Sequence, residues 1–508
     1  MIAKINSCVL LGLDGYEIEV ELDVAGGLPN FTIVGLADAS IRESKEKVRS
    51  AIKNSNYRFP VNKIVANLSP ASIKKDGSQI DLALAVGILE ASRQIPKVDE
   101  NICFIGELSL DGNLMPIKGA LALVIALRKN ERIKKVIIPD ANKEECGVIR
   151  GIHVIPCKNL TEVIDYLEGF QELQPYVQKY ESSDDEMKYD IDFSEIRGQA
   201  VMKRSVEIAV AGAHNILIVG PPGAGKTMIA KRIPTIMPDL SFEESLEVTK
   251  IYNISGKTSN NKLIKKRPFR NPHHTVSKVA LSGGGRYSSP GEVSLSHCGV
   301  LFLDELPEFT KNVLEVLRQP MEDGEITVSR ANAQLTYPAN FFLVAAMNPC
   351  PCGFLGDSRH ECTCTQGSIS RYLGKISGPL LDRFDIQISV EAVNFNDLNK
   401  SISERNSKEI KKNVMRVREL QRNRYKGYNI LTNSELEGNL LDKYCELDEK
   451  GKLILKLAFE NLGLSVRAHN KILKVARTIA DLDGEKHIAE KHIAEAIRYR
   501  TLDKKFWG

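Results

Sequence analysis

Apolar residues recur along the chain with two different spacings, and the balance between them shifts along its length. Over residues 1–170, runs of strand character at 16–22, 63–68 and 135–138 are separated by segments of helical spacing such as 40–54 and 82–92. This mixture predicts a compact α+β domain. Residues 171–192 have little to bury: the stretch 181–192 holds six acidic residues against one lysine, which predicts a solvated linker. Over residues 193–393, near-continuous apolar runs at 215–219, 299–303 and 340–346 alternate with helical patterns. Runs of that kind suit strands covered on both faces, so the stretch predicts a parallel sheet in an α/β domain. Residues 394–508 keep a helical spacing and predict a helical C-terminal domain.

Length and composition narrow the class. A chain of 508 residues has room for about three domains at roughly 150 residues each. With 43% hydrophobic and 26% charged residues it can build packed cores, which excludes wholesale disorder. The 69 basic residues barely exceed the 65 acidic ones, so any surface for a polyanion has to come from local clustering. Ten cysteines spread over this length argue against a disulfide-stapled secreted module and for a reducing compartment. The only apolar run near the N-terminus, residues 8–11, is far shorter than a membrane span of about 20 residues, and no later run qualifies. The expectation is a soluble, cytoplasmic, multidomain protein with no membrane partner.

The candidate chemistry begins at Gly220-Pro221-Pro222-Gly223-Ala224-Gly225-Lys226-Thr227, which fits GxxxxGK[ST]. An apolar run at 216–219 precedes it and a helical pattern at 228–233 follows, the setting that a phosphate-cradling P-loop requires. Glycines let successive backbone N–H groups point at phosphate oxygens, Lys226 adds a charge near the β/γ-phosphates, and the Thr227 hydroxyl can ligate Mg²⁺. The apolar run 300–303 ends in Asp304-Glu305, where Asp304 is placed to hold Mg²⁺ and Glu305 to polarise the attacking water of an ATP hydrolysis. A third apolar run ends at Asn348, which suits a turn before Pro349 as well as it suits a water-orienting side chain. Arg383 sits between Asp382 and Asp385, and by spacing alone reads as a member of a surface ion pair.

Four cysteines, Cys350, Cys352, Cys362 and Cys364, fall within fifteen residues. Two close pairs of thiols suggest a tetrahedral structural Zn²⁺ site, with His360 as a substitute ligand, at a C-x-C spacing tighter than the usual C-x₂₋₄-C; buried thiols or a labile disulfide are the alternatives. Two basic stretches with interleaved aromatics, 262–274 (Lys262, Lys265, Lys266, Arg267, Arg270) and 411–428 (Lys411, Arg416, Arg418, Arg424, Tyr425), have nucleic-acid character, against the commoner reading of a solvated face. His273 and His274 lack a nearby carboxylate pattern and are a weak metal signal.

The order of P-loop, Asp304-Glu305, Asn348 and Leu380-Leu381-Asp382-Arg383-Phe384-Asp385, with residues 267–275 and 465–482, resembles AAA+ ATPases of the magnesium-chelatase-like branch, within it the YifB/ComM family. The resemblance implies that Asn348 is the first sensor residue, Arg383 an arginine finger and Arg467 the second sensor, with ATP and Mg²⁺ as the working pair. A finger offered in trans requires a neighbouring subunit, so a homo-hexameric ring is expected. The ComM branch implies a motor on single-stranded or branched DNA, acting in branch migration during recombination and natural transformation. In such a ring the loops at 282–289 and 324–336 would face the pore, with Arg286, Tyr287 and Arg330 on DNA. Residues 75–82 and 106–119 resemble the Lon-protease-like domain of ribosomal S5 type. Matching those segments puts Gln79 at the nucleophile position and Leu121 at the lysine position, with Ser78 and Lys118 out of register, which implies a non-proteolytic domain. The competing reading is a motor subunit that remodels a protein partner for metal insertion. By resemblance that subunit is shorter and lacks the first domain and the Cys-x-Cys insertion.

Overall fold

A computed structural model describes residues 2–36, 38–72, 75, 77–178, 189–257, 263–285, 289–329, 334–357, 359–392 and 405–502. The chain forms two compact units, residues 1–184 with 246–264, and residues 185–245 with 265–508.

The first unit is built on a long hairpin. Strands β1 (Ile2–Leu11) and β2 (Asp14–Ala25) pair antiparallel from Ile2 opposite Asp23 to Leu11 opposite Asp14. Around them lie β3 (Asn30–Val34), β4 (Lys63–Ser69), β5 (Ile102–Phe104), β6 (Lys135–Pro139) and β7 (His153–Cys157), in the order β3-β4-β2-β1-β5-β6-β7. Helices α1 (Ala39–Asn54), α2 (Asp81–Ala91) and α3 (Ala120–Arg128) complete the unit. Every residue of α2 is buried, Asp81 and Glu90 included. Gly87 lets α2 lie on the hairpin: a Cβ there would come within 2.2 Å of Leu22 and 3.1 Å of Ile5. Residues 246–264 interrupt the P-loop stretch in sequence yet belong to this unit, and Asn253 donates a hydrogen bond to the buried Glu145 carboxylate. Burial pushes the Glu145 carboxyl up to about 7, against the hydrogen bonds from Asn142 and Asn253.

The second unit carries a five-stranded, fully parallel sheet: β8 (Ile216–Val219), β9 (Phe269–Arg270), β10 (Val300–Leu303), β11 (Phe342–Met347) and β12 (Ile386–Ser389), in the order β9-β10-β11-β8-β12. All residues of β8, β10 and β11 are buried, as their unbroken apolar runs require. Strands β9 and β12 were not among the predicted runs: β9 has only two residues, and β12 carries the polar but fully buried Gln387.

Helices α4 (Ala200–Gly212), α5 (Lys226–Ile236), α6 (Ser407–Arg424), α7 (Val466–Leu482) and α8 (Glu490–Arg498) belong to the same unit. Polar contacts tie the C-terminal helices to the sheet domain. Arg418 donates to the Val210 carbonyl at 2.8 Å and Gln421 to the Ala211 carbonyl at 3.1 Å. Buried His214 meets Asp385 at 3.1 Å and Thr478 of α7 at 2.8 Å, while Lys471 of α7 meets Asp385 at 3.1 Å. Burial opposes ionisation of Asp385, but the Lys471 charge and the His214 hydrogen bond outweigh it and hold the carboxyl well below its ordinary value. Among the described residues, no helix is long and apolar enough to cross a membrane.

Candidate nucleotide site

Sheet register brings the site together. Val219 at the end of β8 pairs with Met347 on β11, and Leu303 at the end of β10 pairs with Ala345. The three strands therefore stop side by side, and the residues that follow each of them, 220–227, 304–305 and 348, meet at one edge. That edge is the carboxyl end of a parallel sheet, where open α/β folds bind ligands.

Gly223 and Gly225 hold φ of 78° and 83°, a left-handed backbone that curls the loop into the start of α5. The helix N-terminus adds its free N–H groups and positive dipole end. Lys226 is buried, and its Nζ donates to the carbonyls of Gly220 (2.6 Å) and Pro221 (2.9 Å) and to Asn348 Oδ1 (3.0 Å). Burial drives its amine down to about 8, with Asp304 and Glu305 opposing the shift. Thr227 Oγ1 donates to Asp304 Oδ2 at 2.6 Å, and Asp304 Oδ1 accepts from the Glu305 N–H at 3.0 Å. Two hard oxygens side by side at a loop edge are a donor set that fits Mg²⁺ with water completing its shell.

Glu305 takes φ of 53°, rare for a residue with a side chain, and such positions concentrate where a side chain has a task. Its Oε2 lies 3.4 Å from Nδ1 of His274, whose ring packs at a tilt against that of His273 with centroids 4.1 Å apart. Asn271, Pro272, His273, His274, Asp304 and Glu305 line one cleft. Sequence reasoning missed this carboxylate for His274, because it arrives from the end of a neighbouring strand.

Arg383 and Arg467 are placed elsewhere. Arg383 is paired with Glu322 and donates to the Pro379 carbonyl at 2.9 Å. Arg467, 71% exposed, approaches Asp382 at 3.6 Å. Burial lowers the Arg383 guanidinium, and the positive charges of Arg318 and Arg467 add to the effect, so the three arginines share one patch.

The four cysteines converge. Sγ atoms of Cys350, Cys352, Cys362 and Cys364 all lie within 4.8 Å of one another. Cys350 to Cys352 is 3.3 Å, Cys350 to Cys362 is 3.6 Å and Cys352 to Cys362 is 3.5 Å. The edge of a tetrahedron of sulfurs about 2.3 Å from a central Zn²⁺ is about 3.8 Å, so the cluster fits that ion. A hydrogen bond from the Phe354 N–H leads the effects that hold the Cys352 thiol down to about 6, while burial pushes Cys350 up to about 12. His360 is not part of the cluster; its ring packs on Phe354 at 4.9 Å.

The two basic stretches are largely spent on the fold. Arg267 donates to the Cys298 carbonyl at 2.6 Å and meets Glu244 at 3.2 Å, and Arg270 holds Glu292 through two bonds of 2.6 and 2.8 Å. In the second stretch Lys411 pairs with Asp239, Arg416 donates to the carbonyls of Asp481 and Leu482, and Arg424 chelates Asp481. Tyr425 is buried and donates to Asn433. These partners are distant in sequence, which is why a charge run reads as free when it is not. Lys262, Arg286, Tyr287 and Arg330 lie outside the described residues. In the first unit Leu121 is fully buried and Lys118 is exposed, while the Ser78 hydroxyl bonds to Glu107, which Lys47 meets at 2.6 Å.

Three family models match the chain: magnesium chelatase, subunit ChlI, over residues 192–398; subunit ChlI of Mg-chelatase over 20–142; and magnesium chelatase, subunit ChlI C-terminal, over 404–500. The chain is 41% identical to the uncharacterised protein YifB of Escherichia coli over 503 residues, 98% of this chain and 97% of that protein. It is 39% identical to competence protein ComM of Haemophilus influenzae over 505 residues, 99% and 98% of the two chains. Over 169 residues it is 31% identical to Lon protease 2 of Bacillus subtilis, 29% of each chain. The first unit thus matches both a Lon protease and a model described by ChlI, so its presence does not by itself separate the chain from chelatase subunits.

Proposed function

Because the chain belongs to the YifB/ComM family of magnesium-chelatase-like AAA+ proteins, we propose that it is a ring-forming cytoplasmic motor that hydrolyses ATP to move along single-stranded or branched DNA. The observation that carries the reading is the meeting of Lys226, Thr227, Asp304 and Asn348 at one sheet edge. On this reading residues 193–393 are the ATPase core, 394–508 its lid, and 1–170 a non-proteolytic Lon-like domain joined through the acidic linker 171–192.

The backbone amides of Gly223 to Thr227 wrap the β-phosphate, and Lys226 exchanges its loop carbonyls for β/γ-phosphate oxygens. Thr227 and Asp304 hold Mg²⁺, which when bound neutralises charge on the phosphates. Glu305 takes the proton of the attacking water, His274 steadies that carboxylate, and Asn348, held against Lys226, orients the same water as the first sensor residue. Arg383, paired here with Glu322, serves as the finger in the site of the next subunit of a homo-hexamer, and Arg467 is the second sensor. Cys350, Cys352, Cys362 and Cys364 hold a structural Zn²⁺.

The test is Mg²⁺-dependent ATP hydrolysis titrated with single-stranded, duplex and four-way-junction DNA at one salt concentration, since phosphate-driven affinity falls steeply with salt. The reading expects the DNA to raise turnover, Lys226→Ala to abolish it and Glu305→Gln to lower it by about 100-fold or more. The ChlI descriptions of all three matched models favour a second reading, an ATPase that remodels a protein partner for metal insertion. Robust hydrolysis indifferent to every DNA would move the choice to it.

A further inference from the structure

We propose that the four-cysteine cluster is a brace for the nucleotide site: zinc held by Cys350, Cys352, Cys362 and Cys364 keeps Asn348 on Lys226 and keeps the turn at Gly353 on the P-loop. The inference rests on the zinc reading above and extends it from a structural ion to a condition for ATP turnover.

Three observations converge. Asn348, whose Oδ1 accepts from Lys226 Nζ at 3.0 Å, is separated from the fully buried ligand Cys350 by a single proline. Pro349 fixes its own φ and narrows the conformations open to Asn348, so the cluster's position is passed to the asparagine with little slack. Gly353, one residue beyond Cys352, has its backbone against the P-loop: a Cβ there would meet Pro222 at 2.7 and 2.9 Å, and Asn348 lies within 3.8 Å. The cluster therefore touches the site at two points, the asparagine and the phosphate loop itself.

The third observation is what else holds this segment. Between Met347, the last residue of β11, and Gln366, the first of the next helix, the described residues form neither helix nor strand. Loops of that length without regular structure are uncommon in compact domains unless they have a function or a staple. Ordering them costs backbone entropy that no ladder of hydrogen bonds here repays. Four thiolate bonds to one ion supply that order, and metal affinity then appears as local folding energy. No thiol has to reach the nucleotide, so the cysteines are positioning residues and the ion acts through Asn348 and Pro222.

The experiment compares the reduced full-length protein as purified, the same protein after a strong zinc chelator, and the Cys362→Ser, Cys364→Ser double variant. Zinc is counted by plasma mass spectrometry, and backbone order is followed by hydrogen–deuterium exchange. Zinc below about half an equivalent in the folded protein overturns the zinc reading itself. With zinc near one equivalent, the brace predicts that stripping speeds exchange in two places, residues 348–365 and the P-loop 220–227, and that kcat for ATP falls about tenfold or more with a smaller change in KM. Faster exchange confined to 348–365 overturns the brace while leaving the zinc site standing. Faster exchange that also spreads through the helices of 407–498 means general unfolding and overturns it too. In Asn348→Ala, where one arm of the brace is already cut, stripping zinc should lower kcat far less than in the parent; an equal loss in both contradicts action through that residue.

Discussion

Lys226 carries the clearest expectation at the scale of single residues. Its amine is pushed down to about 8 by burial, and triphosphate oxygens favour its charged form. Nucleotide binding should therefore take up a proton and weaken as pH rises above about 8, with full affinity below it. Calorimetry of a non-hydrolysable ATP analogue, in buffers of different ionisation enthalpy, reads that proton directly. Lys226→Arg, which stays charged, should lose the dependence. Glu305→Gln should retain nucleotide while turnover falls by about 10²–10⁴, the range for losing a general base. His274→Ala should lower kcat with KM for ATP little changed, and His274→Gln should restore part of it by offering an amide N–H to Glu305. A fall in kcat accompanied by a comparable rise in KM would show that His274 only supports the fold.

The elements around the site make their own predictions. Asp385 sits between His214 and Lys471, joining the core to α7. Asp385→Ala leaves a buried lysine without its counter-charge and should cost about 3–5 kcal/mol in denaturant unfolding. In the first unit Glu145 titrates near 7 when folded, above its ordinary value. The folded form then holds a proton that the unfolded chain releases, so this contribution is complete below the ordinary carboxyl range and is lost as pH rises through about 7. Glu145→Gln should flatten stability between about pH 4.5 and 7. This scale also shows what was legible in advance. The fully apolar β8, β10 and β11 announce themselves, and the P-loop and Asp304 follow because they come directly after those strands. Residues 246–264 could not be assigned to the first unit from sequence, since the tie between Asn253 and Glu145 spans more than a hundred positions. In the 411–428 stretch Arg416, Arg418 and Arg424 are matched to Asp481 and to backbone carbonyls that no local pattern reveals.

At the scale of the whole molecule, three arginines gather in one patch. Arg383 and Arg467 are bonded to Glu322, Pro379 and Asp382, and Arg318 shares their patch. Sequence spacing gave Arg383 no role beyond an ion pair, and the family resemblance supplied one. On the proposed reading the patch meets another subunit's triphosphate, which would make catalysis a property of an assembly rather than of one chain. Arg383→Ala should then bind nucleotide normally and hydrolyse it about 10³-fold or more slowly, as fingers supplied in trans do. Mixing two inactive proteins, Arg383→Ala and Lys226→Ala, tests this most directly. In mixed rings about one interface in four joins an intact P-loop to an intact arginine. The account predicts that ATP hydrolysis reappears on mixing and scales with the fraction of such interfaces; a mixture that exchanges subunits and stays inactive at every ratio would contradict it.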